Sequence, residues 1–168
     1  EWWVRPRGNV PTRRFVHRGI ESSSAAPEAV EAILSADVVL LAPSNPVVSV
    51  GTIIALPGMA AALQATAAPV IGVSPIIGGS PVRGMADICL GVIGVDVSAA
   101  AVGQHYGSRT QGGLLDGWLV DPVDAGGLPL LERAGIPARS LPLWMSTDEA
   151  SAAIVAGALR LAGEVREP

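Results

Sequence analysis

The stretch Val38-Val39-Leu40-Leu41-Ala42-Pro43-Ser44-Asn45-Pro46-Val47-Val48-Ser49-Val50-Gly51-Thr52 decides how this chain folds. Its first part is a run of valine and leucine, the composition of a strand buried on both faces. The run stops at Pro-Ser-Asn-Pro, whose prolines remove backbone donors and stiffen a turn. A glycine-led apolar stretch of helical character begins a few residues later. Strand, polar turn and helix in that order make one step of a parallel sheet with crossover helices. The junction leaves backbone N–H groups unpaired at a helix start, backed by the helix dipole. It therefore predicts an anion-holding point, most often for a phosphate, with Ser44, Asn45 and Ser49 adding side-chain donors.

The rest of the chain extends the pattern. Strands are predicted over residues 14–20 (near a sheet edge), 37–42, 69–74, 115–120 and 138–142. Helices are predicted over 27–35, with Ser22-Ser23-Ser24 as a cap and Pro27 in the first turn, and over 51–66, 83–90, 98–106, 125–134 and 147–162. Pro57-Gly58 is expected to kink or divide the second of these. Strands separated by helices give an α/β fold, a Rossmann-like three-layer sandwich with a mostly parallel sheet. Ligands of such sheets bind beyond the carboxyl ends of the strands. Two turns lie at such ends, residues 43–46 and 75–79, and they are expected to share one site.

Composition narrows the classes. The chain has 168 residues, room for one domain with a proper core, and is 49% apolar but only 4% aromatic. Val, Ile, Leu and Ala must therefore build that core. No apolar run reaches the roughly 18 to 20 residues of a membrane span. Nothing at the start reads as an export signal, and the single cysteine, Cys89, fits a reducing cytoplasm. A net charge of −4 argues against a nucleic-acid surface. All 11 cationic side chains are arginine. A phosphate would thus be gripped by Arg, amides, hydroxyls or a metal. The chain opens at Glu1-Trp2-Trp3-Val4-Arg5 without a methionine and reads as the C-terminal portion of a larger domain.

Familiar catalytic motifs do not appear. There is no GxGxxG, and a P-loop needs a lysine this chain lacks. His17, His105 and Cys89 lack zinc-ligand spacing, and Ser74 has no nucleophile elbow around it. Cys89 reads as a core residue on an apolar helix face, and His105-Tyr106 as a surface or packing pair. Pro75-Ile76-Ile77-Gly78-Gly79 allows close backbone approach to a ligand, and serves equally as a plain glycine turn. Arg83 and Asp87, four apart on the predicted helix, read either as a surface ion pair or as a phosphate clamp with an acceptor or metal-linked carboxylate. Asp116, Asp121 and Asp124 flank the third long strand as site candidates or as turn residues.

Three ordered motifs, residues 42–51, residues 69–79 and Arg83-Gly84-Met85-Ala86-Asp87, together resemble the 2-phospho-L-lactate transferase family of deazaflavin coenzyme F-420 biosynthesis. Glu1-Trp2-Trp3-Val4-Arg5 is similar to that family's mid-chain motif, and residues 102–106 and 116–120 continue the likeness in order. The nearest branch is the actinobacterial one that uses phosphoenolpyruvate. The resemblance implies transfer of a phospholactyl or phosphoenolpyruvyl group from a guanosine-diphosphate-linked donor to the deazaflavin Fo. GMP is released, magnesium takes part, and the full-length protein forms a homodimer. On this resemblance Ser44, Asn45, Pro46 and Ser49 would serve the donor's diphosphate and guanosine. Ser74, Pro75, Ile76, Gly78 and Gly79, with Arg83 and Asp87, would close over the same nucleotide. The family's N-terminal half, expected to carry the metal ligands and catalytic groups, has no counterpart here. The expectation is a partial nucleotide pocket with little or no transferase activity unaided. A related regulator family that binds nucleotide sugars on a similar sheet stands as the alternative.

Overall fold

Four parallel strands carry the molecule, and helices cover them on two faces. The computed structural model describes residues 4–6, 8 and 10–166. Glu1, Trp2 and Trp3 of the expected mid-chain motif lie outside the described residues. The order is α1 (Pro27–Leu34), β1 (Val39–Leu41), α2 (Val50–Ile54), α3 (Met59–Ala65), β2 (Val70–Val73), β3 (Ile76–Ile77) and β4 (Ser80–Pro81). Then follow α4 (Ala86–Ile93), α5 (Ala99–Tyr106), β5 (Gly117–Val120), α6 (Leu128–Arg133), β6 (Ala138–Ser140) and α7 (Asp148–Arg166). The main sheet runs β1-β2-β5-β6, all parallel, in the register Val39↔Val70, Ile71↔Gly117 and Trp118↔Ala138. This is the α/β three-layer arrangement that the sequence pattern predicts.

Strand alternation sorts the core into two clusters. Val70, Trp118 and Val120 face one side, where they meet Leu63 of α3, Leu90 of α4, Val102 of α5 and Leu131 of α6. Ile71, Val73 and Leu119 face the other, against Ile154, Ala158 and Leu161 of α7. Every crossover moves outward in the same direction, so right-handed connections put all crossover helices on one face. Among the described residues α7 packs on the second face, over β2 and β5. Trp118 anchors the larger cluster, its indole N–H donating to the Ala99 carbonyl at 3.0 Å. It lies across Gly72, where a Cβ would come within 2.4 Å of the indole ring, so β2 needs a glycine there.

Four local expectations need correction. Residues 14–17 form no strand, and a 3₁₀ turn at Ile20–Ser22 follows them. Their apolar-polar alternation meets no neighbouring strand, and Val16 is 63% exposed. Ser22 and Ser23 do not cap α1. Their hydroxyls donate back to the Gly19 carbonyl at 3.0 and 2.9 Å, and Ala26 precedes Pro27 without a side-chain cap. The turn after β2 is itself a hairpin, β3 against β4. Gly78 and Gly79, with φ of 59° and 75°, form its two-residue tip, which only glycine-like conformations close. Finally, α4 starts at Ala86, three residues after Arg83, because Gly84 at φ 83° interrupts the approach. Arg83 and Asp87 therefore do not share a helix. The division at Pro57-Gly58 holds, with α2 and α3 on either side.

Candidate functional site

The carboxyl ends of β1 and β2 open into a cleft of ≈ 680 Å³. One wall is the loop after β1, with Pro43, Ser44, Asn45 and Val48; the floor is Ser74 and Pro75 after β2. The far wall is the approach to α4, from Val82 to Ala86, and the loop between β6 and α7, Leu143 to Ser146, closes the rim. The first turn meets the cleft through Pro43, Ser44 and Asn45, but the second contributes only Pro75, its glycines lying outside the lining.

The loop after β1 closes largely on itself, while the Asn45 Nδ2 is buried without a hydrogen-bond partner among the described residues. Asn45 Oδ1 accepts from the amides of Val47 and Val48 at 2.9 and 3.1 Å, and the Asn45 carbonyl accepts from those of Ser49 and Val50 at 3.3 and 2.9 Å. Ser44 Oγ donates to Ser49 Oγ at 2.9 Å. Pro46 is buried beneath the turn, and a Cβ at Gly51 would stand 2.4 Å from its carbonyl oxygen. The amides of Val47, Val48, Ser49 and Val50 are therefore engaged within the turn. Asparagine in a turn supplies its own acceptor, and α2, at five residues, adds only a small dipole.

The free helix start facing the cleft belongs to α4. Met85 at its N-cap makes no side-chain cap, and Gly84, Met85 and Ala86 line the cleft. The start of this eight-residue helix, where the positive end of its dipole lies, is thus part of the cleft's lining. Exposed Arg83 stands beside them, the sole ionisable side chain in the lining. Asp87, in the first turn, lies outside the lining.

Of the residues the sequence nominated, Ser44, Asn45, Ser74, Pro75 and Arg83 line the cleft. Pro46, Ser49, Ile76, Gly78, Gly79 and Asp87 do not. The Ser74 hydroxyl is locked in its own turn, donating to the Ile76 carbonyl at 2.8 Å and accepting from its amide at 3.1 Å. Ile76 is fully buried, and the Gly78 amide donates to Asp124 Oδ2 at 3.0 Å. Leu143, Trp144, Met145 and Ser146 were missed. Trp144 is 55% exposed, and its signal was a tryptophan in a loop directly after a strand's carboxyl end.

The three aspartates considered as site candidates hold structure. Asp121 caps the Val123 amide at 3.2 Å and ties down the rim by accepting from the Leu143 amide at 3.0 Å. Asp116 lies at the opposite, amino end of β5. There Arg109 Nε donates to its Oδ1 at 3.0 Å, Nη2 approaches Oδ2 to 2.6 Å, and the Val70 amide donates to Oδ2 at 2.8 Å. Arg109 Nη1 also donates to the carbonyls of Thr66 and Ala68 at 2.8 and 3.1 Å. Cys89 is buried on α4, as its pattern suggested. Burial pushes its thiol up, the Asn45 amide pulls against that, and the Asp87 charge adds to it. Among the described residues no group of three His, Cys, Asp or Glu gathers as a metal site, and the lining has no carboxylate. A hard cation such as magnesium takes oxygen ligands, usually carboxylates, so this donor set does not fit it. No described helix is long and apolar enough to cross a membrane.

The sequence is similar to that of known proteins. The model of the family described as 2-phospho-L-lactate transferase CofD matches residues 1–128. The phosphoenolpyruvate transferase of Mycobacterium marinum is 57% identical over 163 residues, covering 97% of this chain and 48% of that protein. Those of Mycobacterium leprae and Mycobacterium tuberculosis are 56% and 54% identical, with 47% and 48% of their lengths covered. The chain spans about half the length of the curated relatives it matches.

Proposed function

The chain belongs to the 2-phospho-L-lactate transferase CofD family, and from that premise we propose that its cleft seats the activated donor of a phosphoenolpyruvyl or phospholactyl transferase. The donor is a guanosine-diphosphate-linked acid and the acceptor a hydroxyl of the deazaflavin Fo. The observation that carries this reading is the meeting of Arg83 with the uncapped start of α4 in one cleft at the strands' carboxyl ends. A guanidinium and helix amides are what a diphosphate needs for charge neutralisation.

In the proposed step the acceptor hydroxyl attacks the acid-bearing phosphorus. A new P–O bond forms as the bridging P–O bond of the diphosphate breaks; GMP leaves with that electron pair, and the hydroxyl proton passes to water. Arg83 and the α4 amides hold the negative oxygens, and positioning rather than a covalent nucleophile accounts for the rate. Asn45 keeps the opposite wall rigid, and Trp144 with Met145 gives the cleft a half-exposed apolar rim. Family members are expected to use magnesium, but the lining supplies no ligands for it and no step here runs through it. Homodimerisation and a cytoplasmic setting are carried as part of the same proposal.

Calorimetric titration with GDP, GMP and UDP-N-acetylglucosamine tests the reading. Binding of the guanine nucleotides at least about 10-fold more tightly than the UDP-sugar is expected. A preference for the UDP-sugar would move the chain to the nucleotide-sugar-binding regulators, and no binding at all would remove the donor site. Fo turnover by this chain unaided is expected to be negligible.

A further inference from the structure

Two tryptophans fall among the described residues, and they are used in opposite ways. Trp118 is 1% exposed, spends its indole N–H on the Ala99 carbonyl and fills the larger core cluster. Trp144 is 55% exposed and lines the cleft, with Met145 beside it in sequence at 51%. It is the one aromatic among the large apolar side chains that stand exposed in the described residues. Exposed aliphatics scattered singly need no explanation. An indole and a thioether in succession on the rim of a cavity form the kind of apolar surface that marks a ligand site.

The segment that carries them is fixed at both ends. On one side Leu143 is buried in the cluster under α7, and its amide donates to Asp121 Oδ2 at 3.0 Å. On the other side Thr147 caps α7. Its hydroxyl accepts from the Ala150 amide at 3.1 Å, and its carbonyl accepts from the Ser151 amide at 3.0 Å. Only Trp144, Met145 and Ser146 bridge these anchors, and so short a span keeps the indole at the rim. An aromatic ring held in place is a preorganised platform, and a ligand spends little to order it.

The rest of the lining says what the platform meets. Arg83 and the start of α4 border the same cavity, so one occupant finds a cationic group and an aromatic face together. A volume of ≈ 680 Å³ suits a molecule of nucleotide size rather than a bare diphosphate. A flat ring joined through a short linker to negative oxygens is the shape of a nucleoside diphosphate. We infer that Trp144 is a specificity-determining residue of the donor site, stacking on the base while Arg83 and α4 hold the diphosphate. Purine is favoured over pyrimidine because the larger ring system covers more of the indole. This inference rests on the proposed donor reading and adds to it which end of the donor each part of the lining holds.

Calorimetric titration with GDP, UDP and inorganic pyrophosphate separates the two ends. Trp144→Ala is expected to weaken GDP about 10-fold, UDP less and pyrophosphate not at all, the effect of one lost base–aromatic stack. Arg83→Ala weakens all three. Trp144→Phe keeps a flat ring and most of the GDP affinity, while the quenching of tryptophan emission that GDP causes in the unaltered chain is lost. The urea midpoint stays unmoved in both Trp144 variants, because the side chain lies outside the core. If GDP and pyrophosphate bind and Trp144→Ala changes neither, the inference is overturned and the donor reading stands. A loss shared equally by pyrophosphate, or a lowered urea midpoint, makes Trp144 a prop for its loop and overturns it too. Unchanged GDP affinity with weakened binding of the deazaflavin Fo assigns the ring to the acceptor, against the inference. If neither GDP nor pyrophosphate binds the unaltered chain, the donor reading falls and this inference with it.

Discussion

The amino and carboxyl ends of the sheet use similar residue types for opposite purposes. At the amino end, Arg109 is saturated by Asp116 and by backbone carbonyls, and Asp116 has a second donor in the Val70 amide. At the carboxyl end, Arg83 stands exposed in a cleft lining without a carboxylate, beside a helix start without a cap. An arginine whose donors are spent inside the protein stabilises the fold, and one whose donors face open space can recognise an anion. The difference lies in partners and not in residue type, which is why the sequence nominated aspartates at both ends.

The largest effect should follow from breaking the closed end. Arg109→Met leaves Asp116 part-buried with a single backbone donor and strands the Thr66 and Ala68 carbonyls. A loss of about 3 kcal/mol in unfolding free energy is expected, since removing one partner leaves the other charge uncompensated. Urea denaturation measures it, and guanine-nucleotide affinity of the folded fraction should not change. A loss below about 1 kcal/mol would mean that the pair behaves as an ordinary surface bridge. The open end should answer in reverse. Arg83→Ala is expected to leave the urea midpoint unmoved while weakening GDP binding about 10- to 100-fold, the worth of one or two charge-assisted hydrogen bonds. If Arg83→Ala unfolds the protein and spares binding, the assignment of the two ends is wrong.

How much of this was legible beforehand depended on whether local pattern or tertiary partner decides. The buried strands were readable because Val70 to Val73 and Gly117 to Val120 are apolar on both faces, a signal that needs no neighbour. Residues 14–20 failed for the converse reason: alternation makes a strand only where another strand offers hydrogen bonds. The cleft's place followed from topology, since both polar turns sit at carboxyl ends. Its chemistry did not. A side chain such as Asn45 can face a ligand or cap its own turn, and composition cannot distinguish the two. The shift of the free helix start from α2 to α4 turned on that one amide oxygen. Trp144 was overlooked because an aromatic in a seven-residue loop has no periodicity to announce it.

Asn45 gives an intermediate test, because it belongs to the open end yet behaves like the closed one. Asn45→Ala removes the acceptor for the Val47 and Val48 amides and should cost about 1 to 2 kcal/mol, as losing a cap does. Thermal melting measures the loss, and weaker GDP binding should accompany it because one cleft wall loosens. Were stability unchanged and binding lost, Asn45 would be a ligand contact rather than a brace.

The smallest effect separates the ends by pH. His105 ends α5, whose last turn leads toward the amino end of β5, and its ring lies 5.7 Å from that of Tyr106. A helix C-terminus favours a cation, but partial desolvation of this largely exposed ring outweighs it and holds the imidazole below its ordinary 6.5. The unfolded chain therefore takes up the proton at higher pH than the folded one. Stability from this group is complete above about 6.5 and declines as pH falls toward the lowered folded value. Melting temperatures between pH 7 and 5 should show that decline, and His105→Gln should flatten its share. The cleft's lining, whose sole ionisable side chain is an arginine, should contribute no such slope to nucleotide binding over the same range. A protein-derived pH step in binding near 6.5 would mean that the two ends communicate, against the separation that their hydrogen bonds describe.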